Sequence, residues 1–210
     1  MSDAWVQGGA VSGIAKIEDA TLTPTKMELV AGWLGSQSWF TGDADAAERV
    51  GSFRFVDPGG EVGIETLLIR SRDVTYQVPL TYRNGPLEQA GDCLIGTSEH
   101  SVLGTRWVYD AVGDSVYIDE VLRVIHELDT EADLSRGEKT VAVRGTGIET
   151  TLGTNPTVVQ LLRALDSTRA AETPPVAALF GSWTEDGEPR SAVLATLAVE
   201  EPGHPEASTK

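Results

Sequence analysis

The stretch Val74-Thr75-Tyr76-Gln77-Val78-Pro79-Leu80-Thr81-Tyr82 carries the clearest period in the chain. Val74, Tyr76, Val78, Leu80 and Tyr82 alternate with Thr75, Gln77, Pro79 and Thr81, so a strand here turns its large apolar side chains to one face. The alternation predicts one packed face and one wet face. Pro79 has no amide to give to a ladder, which predicts an edge position or a bulge.

Working outward, Phe53 and Phe55 alternate with Ser52 and Arg54, Asp57-Pro58-Gly59-Gly60 supplies turn chemistry, and Val62 to Ile69 reads as a second strand. The two are expected to form a hairpin. After Asn84-Gly85-Pro86, Cys93 to Thr97 and Thr105 to Tyr109 are shorter strand candidates. Thr25-x-x-Glu28 is a capping box, and Leu29, Val30, Trp33 and Leu34 behind it share a helical face that ends near Gly35. Asp114 is the N-cap of a second helix, whose stripe is Val116, Tyr117, Val121, Leu122, Val124, Ile125 and Leu128.

The acidic run Asp129 to Glu138 reads as a solvated loop, and Thr140 to Val143 as a strand. Asn155-Pro156 suits a helix start, with Val158, Val159, Leu161, Leu162 and Leu165 behind it and Thr173-Pro174-Pro175 ending it. Val176 to Thr184 and Arg190 to Val199 flank Glu185-Asp186-Gly187-Glu188, a hairpin turn signal. The elements add up to an α+β fold, a curved antiparallel sheet packed on helices. Residues 1–22 are expected to be a strand or loose, 23–135 the main domain, 136–199 a strand, helix and hairpin extension, and 200–210 a disordered tail.

Composition bounds the function. The 210 residues carry 16 Lys and Arg against 32 Asp and Glu, a formal net charge of −16. Phosphate backbones and anionic membranes need clustered cations, so neither nucleic acid nor membrane is expected as a partner. The N-terminus lacks a basic, apolar leader pattern, so the expected location is cytoplasmic. Cys93, the one cysteine, excludes an internal disulfide and reads as a buried structural thiol.

Catalytic motifs are not met. Gly145-Thr146-Gly147 opens like a dinucleotide loop, but Thr150 stands where a third glycine belongs, and a turn is the better reading. Gly96-Thr97-Ser98-Glu99-His100 has His where a nucleophile elbow needs Gly. His126-Glu127 lacks the second His of a zinc protease motif, and His126 suits a surface site at the helix C-terminus. No catalytic residue, metal site or cofactor is expected. The aromatic residues are more informative, because Trp and Tyr stack on sugars and anchor protein partners. Trp39, His100, Trp107 and Tyr109 are the candidate binding residues. Trp39 stands out because it follows the glycine that ends the first helix and cannot continue that helix's apolar face.

Trp33-Leu34-x-x-Gln37-x-Trp39-Phe40-x-Gly42, Thr75-Tyr76-Gln77-Val78-Pro79-Leu80, Ile95-Gly96 and Leu103-Gly104-Thr105-Arg106-Trp107-Val108-Tyr109-Asp110 form an ordered set. The set resembles the N-terminal cap domain of actinobacterial maltokinases, and more closely the stand-alone cap-like proteins named as 1,4-alpha-glucan branching proteins. The resemblance covers about residues 20 to 130 and implies a cystatin-like sheet curved around a helix. In the kinases a bilobal kinase unit follows the cap, with a His-Gly-Asp catalytic loop and a downstream metal-binding Asp. No motif here matches either, and 210 residues are expected to leave no room for both lobes.

The resemblance therefore implies a metabolic neighbourhood and no activity. The expectation is a non-catalytic accessory or binding protein of sugar or α-glucan metabolism, engaging an enzyme partner or a carbohydrate. A carbohydrate-active enzyme with an unrecognised carboxylate site is one alternative. A self-associating module that forms a homo-oligomer is another.

Overall fold

The computed structural model describes residues 13–147, 157–165 and 177–199. The expected tail at 200–210, the Asn155-Pro156 helix start and the Thr173-Pro174-Pro175 stop lie outside them. In chain order the elements are β1 (Ile14–Ala15), β2 (Leu22–Thr23), α1 (Lys26–Leu34), β3 (Glu48–Val56), β4 (Gly63–Ser71), β5 (Val74–Arg83), β6 (Leu94–His100) and β7 (Gly104–Asp110). Then come α2 (Ser115–Glu127), β8 (Asp133–Leu134), β9 (Val141–Gly145), β10 (Thr157–Leu161), β11 (Ala164–Leu165), β12 (Ala178–Glu185) and β13 (Glu188–Val199).

The main sheet is antiparallel, in the order β2-β6-β7-β5-β4-β3, with β11 added beside β5. It curls into a half-barrel. Val30 and Leu34 of α1 pack on one face against Leu67, Ile69, Val78, Leu80 and Val108. On the other face Phe53, Phe55, Ile64 and Leu68 meet Tyr117, Val121, Val124 and Ile125 of α2. The same core continues into the second sheet, β10-β13-β12-β9, through Val141, Val143, Leu179, Trp183 and Leu194. Fully burying each such side chain is worth about 1.5–3 kcal/mol. The α+β class holds.

Local chemistry explains both helices. Thr25 Oγ1 accepts from the Glu28 amide while Glu28 returns a carboxylate oxygen to the Thr25 amide at 2.7 Å, closing the capping box. Asp114 caps α2 by accepting from the Val116 amide. The Asp186-Gly187 turn takes positive φ at both residues, the geometry that lets β12 and β13 pair without splaying.

Five expectations are corrected. The face of β5 predicted to be wet is buried at Thr75, Gln77 and Thr81, because α2 and the second sheet cover it. Pro79 is neither on an edge strand nor in a bulge, since β4 pairs with β5 along its whole length. The Gln77 amide donates to the Arg163 carbonyl on the far side, and position 79 aims the same way. There β11 has ended and β7 has not begun, so proline sits at a seam where no donor is required.

The acidic run is a solvated loop only in its last part, where residues 135–138 are exposed and outside any strand. Asp129 is fully buried, with Arg123 at 2.7 Å and the Thr130 amide at 2.8 Å, and buried Glu131 accepts from the Val143 amide at 2.6 Å. Asp133–Leu134 is the strand β8, parallel to β1. Burial disfavours the Arg123 charge, yet the hydrogen bonds it donates to Asp129, Glu127 and Glu120 raise its pKa and keep it protonated.

The helix expected from Val158 to Leu165 is a pair of strands. Thr157–Leu161 pairs with β13, and β-branched Val158 and Val159 suit that ladder better than a helix. Cys93 is half-buried and Leu94 exposed, so their burial is less than their apolar character predicts.

Candidate functional site

The N-terminal residues make a strap. Ile14–Ala15 pairs with β8 close to β3, whereas Leu22–Thr23 pairs with β6 at the opposite edge of the main sheet. Residues 16–21 therefore cross the mouth of the half-barrel. Ile17 anchors the crossing by giving its amide to Ser135 Oγ at 2.8 Å.

Beneath the strap lies a groove of about 810 Å³, lined by the strap, the β3–β4 turn and the ends of the central strands. Its floor takes Arg54 from β3, Gly63 from β4, Tyr82 from β5, Arg106 from β7 and His100 from β6, with Lys26 of α1 at one side. Gly63 stands opposite Tyr82, and a side-chain carbon on it would lie 3.3 Å from that side chain, a tight contact that glycine avoids.

Under the floor is a buried carboxylate, Glu65. A single oxygen of it accepts from Lys26 Nζ at 2.5 Å, Arg54 Nη2 at 2.8 Å and the Tyr82 hydroxyl at 3.0 Å. Burial pushes the Glu65 pKa upward, but the Arg54 and Lys26 charges and the hydrogen bonds outweigh it and hold the pKa below the usual value. Glu65 stays ionised. Burial and the Glu65 charge raise the Tyr82 phenol well above its ordinary range, so it stays a donor.

At the other end His100 Nδ1 accepts from the amides of Val102 at 3.2 Å and Leu103 at 3.1 Å. With Nδ1 an acceptor, the neutral ring carries its proton on Nε2. Arg106 spends one donor on the Leu103 carbonyl at 2.6 Å, and its buried Nε has no partner. The rim is acidic. Asp57 is engaged by the amides of Gly59, Glu61 and Val62, Glu18 is paired with Lys16, and Glu61 is exposed.

The four residues expected to bind are not brought together. Only His100 lines the groove. Trp107 and Tyr109 point from β7 to the face opposite Arg106; Trp107 is half-buried, and Tyr109 is buried with its hydroxyl accepting from the Leu87 amide at 2.8 Å. Trp39 folds back past α1 against Trp33, Phe40 and Tyr76, and the Arg163 guanidinium lies 4.7 Å over its ring. Arg163 also holds buried Asp110 at 2.5 Å. Sequence reasoning missed Lys26, Arg54, Glu65, Tyr82 and Arg106. The available signal was a charge inside each of two facing apolar strands, Arg54 between Phe53 and Phe55 and Glu65 after Ile64.

Residues 33–114 match the maltokinase N-terminal cap domain. The matched cap region runs from within α1 to the cap of α2 and contains β3 to β7, hence Arg54, Tyr82, His100 and Arg106 of the floor. It also contains Trp39, Trp107 and Tyr109. The strap and Lys26 lie before it, and α2 with the second sheet lies after it. No curated protein matches the chain. Among the described residues no group of three or more His, Cys, Asp or Glu is placed to hold a metal ion, and no helix is long and apolar enough to cross a membrane.

Proposed function

We propose that this chain is a binding module of maltose or α-glucan metabolism that acts without catalysis of its own, offering its strapped groove to a carbohydrate or to an enzyme of that metabolism. The observation that carries this reading is the cap-domain match over residues 33–114, which coincides with the strands that build the groove floor. The chemistry of the groove supports binding over turnover. Glycoside hydrolysis needs one carboxyl group to hold a proton and another to act as base or nucleophile. Here Glu65 is held ionised by two cations, and Asp57 is occupied by three backbone amides. The donors of the floor and the ring of Tyr82 suit a hydroxyl-rich ligand.

The test combines two measurements on the full chain. Affinity capture from a native lysate should retain an enzyme of maltose or glucan metabolism, or calorimetric titration with maltose and longer malto-oligosaccharides should show saturable heat. Incubation with maltose, ATP and Mg²⁺ should yield no phosphorylated sugar. A chain that captures no such enzyme and binds no such sugar, or one that turns maltose over, overturns the proposal.

A further inference from the structure

We propose that the floor of the strapped groove binds a small oxyanion, the phosphate or carboxylate end of a polar ligand, between Lys26, Arg54, Arg106 and His100. The proposal rests on the binding-module reading only in taking this groove as the ligand site. Its basis is the set of donors on the floor. Lys26, Arg54 and Arg106 line the groove, and Glu65 is the carboxylate that the first two share. With Glu65 counted, acids and bases balance over the whole lining, and it is at the floor that the bases outnumber the acid.

The donors are also under-used. A guanidinium has five N–H groups and an ammonium three. Arg54 and Lys26 each spend one on the same oxygen of Glu65, and Arg106 spends one on the Leu103 carbonyl. No other protein acceptor meets them among the described residues. Arg106 Nε is closed off from solvent, so a ligand in the groove meets this guanidinium through its Nη groups. His100 adds a further donor, because the Val102 and Leu103 amides fix its proton on Nε2.

Three further acidic groups line the groove, Glu18 near His100 and Asp57 and Glu61 at the β3–β4 turn. Glu18 is engaged by Lys16 at 2.6 Å and Asp57 by three amides, while Glu61 stands at the exposed rim. An oxyanion with several acceptor oxygens answers the unmet donors, and guanidinium groups suit such oxygens in geometry as well as charge.

The experiment follows backbone amide shifts by NMR on the full chain while inorganic phosphate, acetate and maltose are added separately at low salt. Phosphate should shift the amides of Arg54, Tyr82, His100 and Arg106 saturably, and added salt should weaken the effect. Arg106→Gln should bind about tenfold more weakly, the loss of one charge-assisted contact, with the rest of the spectrum unchanged. Arg54→Lys, which keeps a cation on Glu65, gives a second reading if Arg106→Gln does not fold, and should weaken phosphate several-fold. Saturation by acetate instead of phosphate also supports the site and assigns a carboxylate ligand. The proposal is overturned if neither anion shifts the floor, or if folded Arg106→Gln binds phosphate like the parent chain. Maltose saturating the groove while both anions leave it unmoved overturns the oxyanion site and leaves the binding-module reading standing.

Discussion

Glu65 shows how one side chain couples the floor of the groove to pH. Its carboxylate is buried and satisfied by three donors, so removing it leaves two cations facing each other over a phenol. Glu65→Ala should cost about 3 kcal/mol in urea unfolding at neutral pH, at the low end for a broken buried pair because Lys26 and Arg54 keep some solvent. The pH dependence has a definite sign. A carboxyl group whose folded pKa lies below its unfolded value binds fewer protons when folded, so its stabilisation is present above about pH 4.3 and fades as pH falls through the folded value. Stability measured from neutral to about pH 3 should therefore fall less steeply in Glu65→Gln than in the parent chain. Equal acid slopes would show that Glu65 titrates alike in both states.

At the scale of elements, β9 is bound to α2 by the smallest residue. A side-chain carbon on Gly145 would lie 1.9 Å from the carbonyl oxygen of Val124, in the last turn of α2. That contact is backbone and cannot step aside, so Gly145→Ala should cost about 2–3 kcal/mol by thermal denaturation. The sequence flagged Gly145 only as part of a turn, since a close approach between distant segments leaves no local pattern. What was legible was local: the capping box at Thr25, the Asp114 cap, the turns at Asp57 and Asp186. What misled was also local. Thr75, Gln77 and Thr81 read as a wet face because the atoms that cover them come from residues far along the chain; Gln77, for example, bonds carbonyls 85 and 117 positions away. The groove was illegible for the same reason, since it draws one floor residue from each of five strands and so has no spacing to recognise.

Across the whole molecule polar contacts join the two sheets, and two of them bury side chains of β5. At the β12–β13 hairpin, Glu185 accepts from Thr75 Oγ1 and Trp183 Nε1, each at 3.0 Å, while Arg70 reaches both Glu185 and Asp186. Glu185→Ala strands those buried donors and should cost about 3 kcal/mol, a fall in Tm of roughly 6–12 °C in a chain of this size. Calorimetry should still show one transition, because the core shared by β3, β4, α2 and the second sheet cannot melt in halves. The second is made by Gln77, fully buried at the centre of β5, which gives both protons of its amide nitrogen to the carbonyls of Leu162 and Leu194. Its consequence concerns modularity. The cap match stops at residue 114, but a polypeptide cut there would bare Gln77 and the apolar row of Phe53, Phe55, Ile64 and Leu68, and one cut at the end of α2 would still strip Gln77 of its acceptors. The segment that this chain shares with other proteins is a unit of inheritance, and the unit that folds is larger.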